Sequence, residues 1–421
     1  MILPAGTVEL TSELKVPRKA HDLEIRGADG GTVIRASERF RGRALFVVES
    51  AARIRVRNIT VDGNRAALAK PAGLPPYDVP FVQFTETNGI LAEDVEGLVV
   101  EGVRFREIAG FAILVARSRE VAIEDVEVER SGSRNDKGRN NTTGGILLEE
   151  GTSGFRVENC SFRSVLGNGV WTHSLYPSPR NVDGLIRGNR FDTIGRDAIQ
   201  VGHATKIRVE QNTGRRIGFP LEVVDIEGGG TPVGVDTAGN VDRSVYIGNH
   251  FEEVNGKCID LDGFHHGQVT RNICVNRGKA EDYPSGNFGI AMNNTNPDME
   301  SEEILVADNE IDGGKFGGIF AIGRNHRIIR NRMRNLNLAR CNETAAVFGC
   351  LYLPDEPDFL RSGIYLARRA ERPAIARGIV IEDNLITGYN MKTRCIGAAP
   401  GVSRKGNRIS RNDCRDEVPR R

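Results

Sequence analysis

The chain has 421 residues, 39% of them hydrophobic and only 6% aromatic, with 49 glycines and a formal charge of +1. That balance excludes an overall electrostatic pull toward nucleic acid or an acidic membrane surface, and no run of about 18 apolar residues exists to form a membrane span. A glycine-rich chain of this kind favours short, turn-linked β-strands over helices.

Met1-Ile2-Leu3-Pro4-Ala5-Gly6 runs directly into strand-like sequence, with no secretory signal visible ahead of it. Strands are expected in irregular early coils at Val8-Glu9-Leu10, Leu23-Glu24-Ile25-Arg26, Thr32-Val33-Ile34 and Ile54-Arg55-Val56-Arg57. Residues 64–88 are rich in Pro and Ala and suggest a long loop, closing an N-terminal section of residues 1–88. From 89 to 386 one phrase recurs: an apolar strand, an asparagine, one residue, another apolar residue. It appears at Asn159, Asn189, Asn249, Asn309, Asn331 and Asn384, and the asparagine spacings cluster near 23 and 37 residues. A strand unit at a fixed period cannot bury its apolar face alone, so each copy must stack on the next. The asparagines suit a turn where a left-handed backbone is tolerated and each amide bonds its copy in the next coil.

A second strand follows each asparagine by about ten to twelve residues, as in Gly169-Val170-Trp171-Thr172-His173, Val223-Val224-Asp225-Ile226-Glu227 and Cys258-Ile259-Asp260-Leu261-Asp262. No helix of useful length intervenes, which excludes alternating βα architectures. Residues 387–421 lose the repeat and are expected to cap the open end. The chain therefore suggests one all-β domain, 1–421, a single-stranded solenoid with loop insertions. Of seven cysteines, Cys341 with Cys350 and Cys395 with Cys414 bracket irregular segments that disulfides would staple, while Cys160 and Cys274 suit buried thiols in strands. This usage favours a secreted or periplasmic protein.

Over nearly its whole length the chain resembles the right-handed parallel β-helix superfamily, which includes pectate lyases, polygalacturonases and phage tailspikes. Its opening Leu3-Pro4-Ala5-Gly6-Thr7-Val8-Glu9-Leu10 is similar to the N-terminal coils of that group. The resemblance implies the fold; the same scaffold hosts hydrolases, lyases, epimerases and binding spikes. Arg196-Asp197-Ala198-Ile199-Gln200-Val201 is similar to the paired-aspartate strand of polygalacturonases with Arg196 in place of the first Asp.

Alternate strand residues point to opposite faces. With Val170, Ile199, Val224, Ile259, Ile290, Ile319 and Ile364 turned inward, one outward row carries Trp171, Gln200, Asp225, Asp260, Ala291, Phe320 and Tyr365. A second carries Glu149, His173, Gly202 with His203, Glu227, Asp262 and Asn293. Asp225 is then expected to stack on Asp260, and Glu227 on Asp262, four carboxylates within a patch of roughly 5 by 7 Å. Such a set forces one pKa up or recruits a cation. Glycosidic cleavage needs that pairing of a protonated acid with an ionised carboxylate. Asp225, Glu227, Asp260 and Asp262 are the catalytic candidates. Trp171, His173, Gln200, His203, His265, His266, Asn293, Phe320 and Tyr365 are the candidates for holding sugar, through stacking and hydrogen bonds.

The expected partner is thus a polysaccharide or oligosaccharide, and the expected activity a glycoside hydrolase that needs no cofactor or metal. A lyase or epimerase acting on a uronate polymer would instead use Ca²⁺ held by the acids, with His203, His265 or Lys257 as base. A glycan-binding spike or adhesin is the non-catalytic reading. A homo-oligomer is compatible with each. Insertions at 174–184, 228–242, 276–287 and 332–362 are expected to wall the site.

Overall fold

The computed structural model describes every residue except 72, 227–229, 342–349, 351–352 and 418–421. The described residues form two compact units, Met1–Arg208 with Gly218–Gly230, and Val209–Ile217 with Thr231–Arg421. Each is a stack of parallel strands, as the repeat requires. Among the described residues no helix is long and apolar enough to cross a membrane.

In the first unit, Ile90, Ile113, Ile146, Val170 and Ile199 stand in one file. Val100, Ile123, Val157 and Ile186 form a second, and Phe105, Val128, Phe162 and Phe191 a third. The three files converge inside the coil, where all are buried and the Phe162 and Phe191 rings stack 4.9 Å apart. Each such side chain contributes about 1.5–3 kcal/mol on burial. The second unit repeats the plan, with Val235, Ile259, Ile290, Ile319, Ile364 and Ile396 on one face. Tyr246, Val269, Val306, Ile328 and Ile381 line another.

The recurrent asparagines form a buried ladder. In the second unit each amide Nδ2 donates to the Oδ1 of its copy one coil on, from Asn212 through Asn249, Asn272, Asn309, Asn331 and Asn384 to Asn412, at 2.8–3.0 Å. The left-handed residue is the one before each ladder asparagine, Gln211, Gly248, Arg271, Asp308, Arg330, Asp383 and Arg411, whereas Asn159 in the first unit is itself left-handed as expected. That preceding residue turns the corner, which leaves the asparagine free to aim its side chain along the stack.

Three expectations are corrected. Residues 64–88 contain two one-turn helices, Arg65–Leu68 and Phe81–Phe84. Phe81 and Val82 lie over Val47, Leu91, Leu114, Leu147 and Trp171 in an apolar cluster. The carboxylate of the fully buried Glu149 anchors this cover by accepting the N–H groups of Phe81 (3.1 Å) and Val82 (2.6 Å). The tail continues the coil rather than abandoning it. Strands Ile396–Ala398, Arg408–Ser410 and Asp413–Asp416 each pair in parallel with the coil before, because the short apolar alternation persists between turn residues. Cys274 is not a free thiol. It is bonded to Cys258: one full turn sets Cys274 beside Phe251, and Cys258 lies at the start of the strand that follows Phe251 in that coil. Cys341–Cys350 and Cys395–Cys414 pair as expected, and Cys160 stays free and buried.

Candidate functional site

The outward row assembles as aligned in all but one coil. Trp171 stands between Leu147 and Gln200 in the first unit. Asp260, Ala291, Phe320 and Tyr365 follow one another in the second, with Asp262 beside Asn293. The exception is the segment around Asp225. Leu221–Val223 is a 3₁₀ turn, and Asp225 and Ile226 belong to no strand, Ile226 being 49% exposed. Asp225 is instead fixed within the first unit, accepting from Asn135 Nδ2 at 2.5 Å while its N–H donates to Asn140 Oδ1 at 2.8 Å. Glu227 lies outside the described residues.

The strand beside Lys257–Asp262 is Val233–Ala238, with Val235 opposite Ile259. One step along this register, Asp236 takes the place next to Asp260 that alternation had assigned to Asp225. A glycine decides the matter. A Cβ on Gly234 would lie 2.6 Å from the Cys258 carbonyl, just as one on Gly169 would lie 2.5 Å from that of Ala198. Gly234-Val235-Asp236-Thr237 repeats Gly169-Val170-Trp171-Thr172, a signal that apolar alternation at 223–226 masked.

Around Asp260 the charges are arranged in pairs. Lys257 Nζ lies 2.5 Å from Asp260 Oδ2, and the Leu261 N–H donates to Asp260 Oδ1 at 3.0 Å. Burial lowers the Lys257 pKa, but the charges of Asp260, Asp236 and Asp262 outweigh it, and the ammonium is held above its ordinary value. Asp262 accepts two hydrogen bonds from Thr295, from N–H at 2.8 Å and Oγ1 at 2.6 Å. Burial still prevails over these bonds and, with the Asp260 charge adding to it, pushes the Asp262 carboxyl up to about 6.

A cavity of about 350 Å³ adjoins these groups, lined by Lys257, Asn293, Phe288, Phe320, Phe359 and Arg369 among others. Neither Asp260 nor Asp262 lines it; the link runs through Lys257, which pairs with Asp260, and Asn293, the register neighbour of Asp262. Asn287 ends one expected insertion, with Phe288 following it directly, and Leu353, Glu356 and Phe359 belong to another. Tyr365 does not reach this space. It is buried under Phe320 and Phe359, its hydroxyl donating to Glu356 Oε2 at 2.8 Å.

The remaining candidates fall elsewhere. Trp171 is no open platform, because Phe81 packs edge-on to it at 4.9 Å. His173 contacts the same two rings, with Nδ1 3.7 Å from Glu149 Oε2. Gln200 accepts from Asn168 Nδ2 at 2.7 Å, and His203 is buried against the Tyr176 ring. His265 and His266 follow the turn after Asp262 onto the next face, where both approach Asp242. They do not join the acids. Sequence reasoning missed Asp236, Thr295 and Arg369; of these only Asp236 carried a periodic signal.

A family model described as the right handed beta helix region matches residues 43–219. Among solved structures, the Dettilon tailspike protein is similar at 13% identity and TM-score 0.52, over 96% of this chain and 63% of that one. DFA-IIIase from Arthrobacter chlorophenolicus A6 is similar at 11% identity and TM-score 0.52, over 97% and 88%. The catalytic domain of a GH87 α-1,3-glucanase variant in complex with nigerose is similar at 14% identity and TM-score 0.51, over 98% and 64%. This chain therefore spans less than two thirds of the tailspike and glucanase chains. No curated protein matches it in sequence. At these identities the likeness concerns the fold alone.

Proposed function

This chain is a right-handed parallel β-helix, and on that scaffold we propose a glycoside hydrolase acting on a polysaccharide or oligosaccharide at the cavity beside Asp260 and Asp262. One observation carries the reading: a carboxyl held up to about 6 stands two residues from a carboxylate paired with an ammonium. Asp262 then protonates the leaving glycosidic oxygen. Asp236 or Asp260 supplies the negative charge that activates water or meets the anomeric carbon. Phe320 and Phe359, backed by the buried Phe288, offer apolar surface to sugar C–H groups, and Asn293 and Arg369 offer donors to hydroxyls.

The lyase reading fares less well. Lys257 is held protonated, so it is a poor base, and its ammonium sits on Asp260 where a Ca²⁺ ion would have to bind. The residues present do not fit that metal. Three disulfides suit an oxidising compartment, which supports secretion to the periplasm or beyond.

Asp262→Asn, Asp260→Asn and Asp236→Asn, assayed on a glycan panel, test the proposal. Loss of Asp262 as general acid is expected to cost about 10²-fold or more in kcat. Saturated products with new reducing ends mark hydrolysis, and unsaturated products mark elimination. Glycan binding without turnover in the parent chain would instead mark a binding spike. Full activity in all three variants overturns the assignment.

A further inference from the structure

We propose that Asp242, His265 and His266 form a binding site for one divalent transition-metal cation of the Zn²⁺ class, on a different face of the second unit from the acid centre and independent of glycan cleavage. Parallel register sets Asp242 directly beside His265. His265 Nε2 and His266 Nδ1 lie 3.6 and 2.9 Å from the same Asp242 Oδ1, and one ligand atom from each residue falls within 4.8 Å of the other two. Ligands about 2.0–2.2 Å from one tetrahedral ion stand about 3.3 Å apart, so these separations bracket what a shared metal requires.

The far nitrogens strengthen the case. His265 Nδ1–H donates to the Gly263 carbonyl at 3.0 Å, which leaves Nε2 as the ring nitrogen facing the Asp242 carboxylate at 3.6 Å. At that separation the two atoms stand beyond hydrogen-bonding distance, and a cation between them would take both as ligands. His266 Nε2 faces Glu302 Oε1 at 3.5 Å, and Arg324 grips the other oxygen of Glu302 at 2.5 Å. Each imidazole thus has a carbonyl or carboxylate behind it, the outer-shell pattern that orients metal-binding histidines. Gly263 adopts φ +74°, and a Cβ there would come within 2.8 Å of the Asn240 nitrogen; the carbonyl that aims His265 therefore depends on glycine.

The two rings cross at 76°, and side-chain exposures of 17%, 14% and 37% for Asp242, His265 and His266 leave one side open to water. Two imidazoles with one carboxylate favour Zn²⁺ over Ca²⁺ or Mg²⁺, which prefer all-oxygen shells. Both imidazoles also stand within ion-pair reach of Asp242, and His266 of Glu302, so a Zn²⁺ titration is what separates metal binding from charge pairing.

The test uses the full chain after chelator treatment and desalting, titrated with Zn²⁺ by calorimetry, with metal content measured after dialysis. One equivalent per chain, proton release on binding and a Tm that climbs with Zn²⁺ concentration are expected. Ca²⁺ is expected to produce none of the three. Loss of an outer-shell partner typically costs 10–100-fold in affinity, so His265→Gln and Asp242→Asn, which remove ligands, are expected to weaken Zn²⁺ by about 100-fold or more. Their metal-free Tm values check folding, and His266→Gln replaces either variant that fails. Absence of stoichiometric binding in the parent chain, or undiminished binding in the folded variants, overturns the site.

Discussion

Asp262 shows how a single residue can be set against its own solvation. Its two bonds from Thr295 favour the ionised form, yet burial wins and the carboxyl titrates near 6 rather than at its ordinary 3.8. If it acts as the acid, kcat falls as pH rises through about 6. Thr295→Val removes a bond that favours ionisation, so the falling limb of the pH–rate profile is expected to move to higher pH. An unmoved limb would assign it to another group. Linkage gives a second readout. A pKa raised in the folded state contributes stability that is full below about pH 4 and lost as pH rises through about 6. Asp262→Asn abolishes that loss, so its Tm is expected to drop less between pH 4 and pH 8 than the parent's.

At the scale of elements, the asparagine ladder and the cover over Trp171 make opposite demands on the sequence. The ladder needs one residue type at each coil corner, so it is legible from the repeat alone. Asn272 donates to Asn309 and accepts from Asn249, both buried. Asn272→Ala takes the acceptor from the buried Asn249 backbone N–H and one partner each from Asn249 Nδ2 and Asn309 Oδ1, and denaturant unfolding is expected to show a loss of about 1–3 kcal/mol. Asn412, with one ladder neighbour, is expected to cost less. The cover gives no periodic signal. Its anchor is Glu149, whose carboxylate meets two backbone N–H groups some 67 residues away in sequence. Glu149→Ala is expected to cost about 2–3 kcal/mol and to expose residues 64–88 to limited proteolysis. Unchanged cleavage there would show that apolar contacts alone hold the cover.

For the whole molecule, covalent bracing is unequally placed. All three disulfides lie within the second unit, while the first holds only the buried thiol of Cys160. In a repeat protein, stability is a sum of local terms. Reductant is therefore expected to lower the melting of the second unit and spare the first. Cys258→Ala with Cys274→Ala, opening a 16-residue span, is expected to cost about 3 kcal/mol. Hydrogen exchange resolved by segment would check both, and a uniform loss of protection would contradict the local account.

The parallel coils, the inward files and the asparagine ladder follow from periodicity, because a stacked fold repeats its demands at each turn, while two of the three disulfides were legible from cysteines that bracket irregular segments. So do Asp260, Asp262, Asn293 and Phe320 as neighbours on one outward face. What tertiary structure alone decided was the content of the irregular segments. The insertion before Val233 delayed a strand and put Asp236 where Asp225 was expected; the cover closed over Trp171; the turn at Gly263 carried His265 and His266 away from the acids and toward Asp242. These choices depend on contacts between residues far apart in the chain, such as a glycine against a carbonyl or a carboxylate against two amides. No local pattern of apolar and polar residues encodes them.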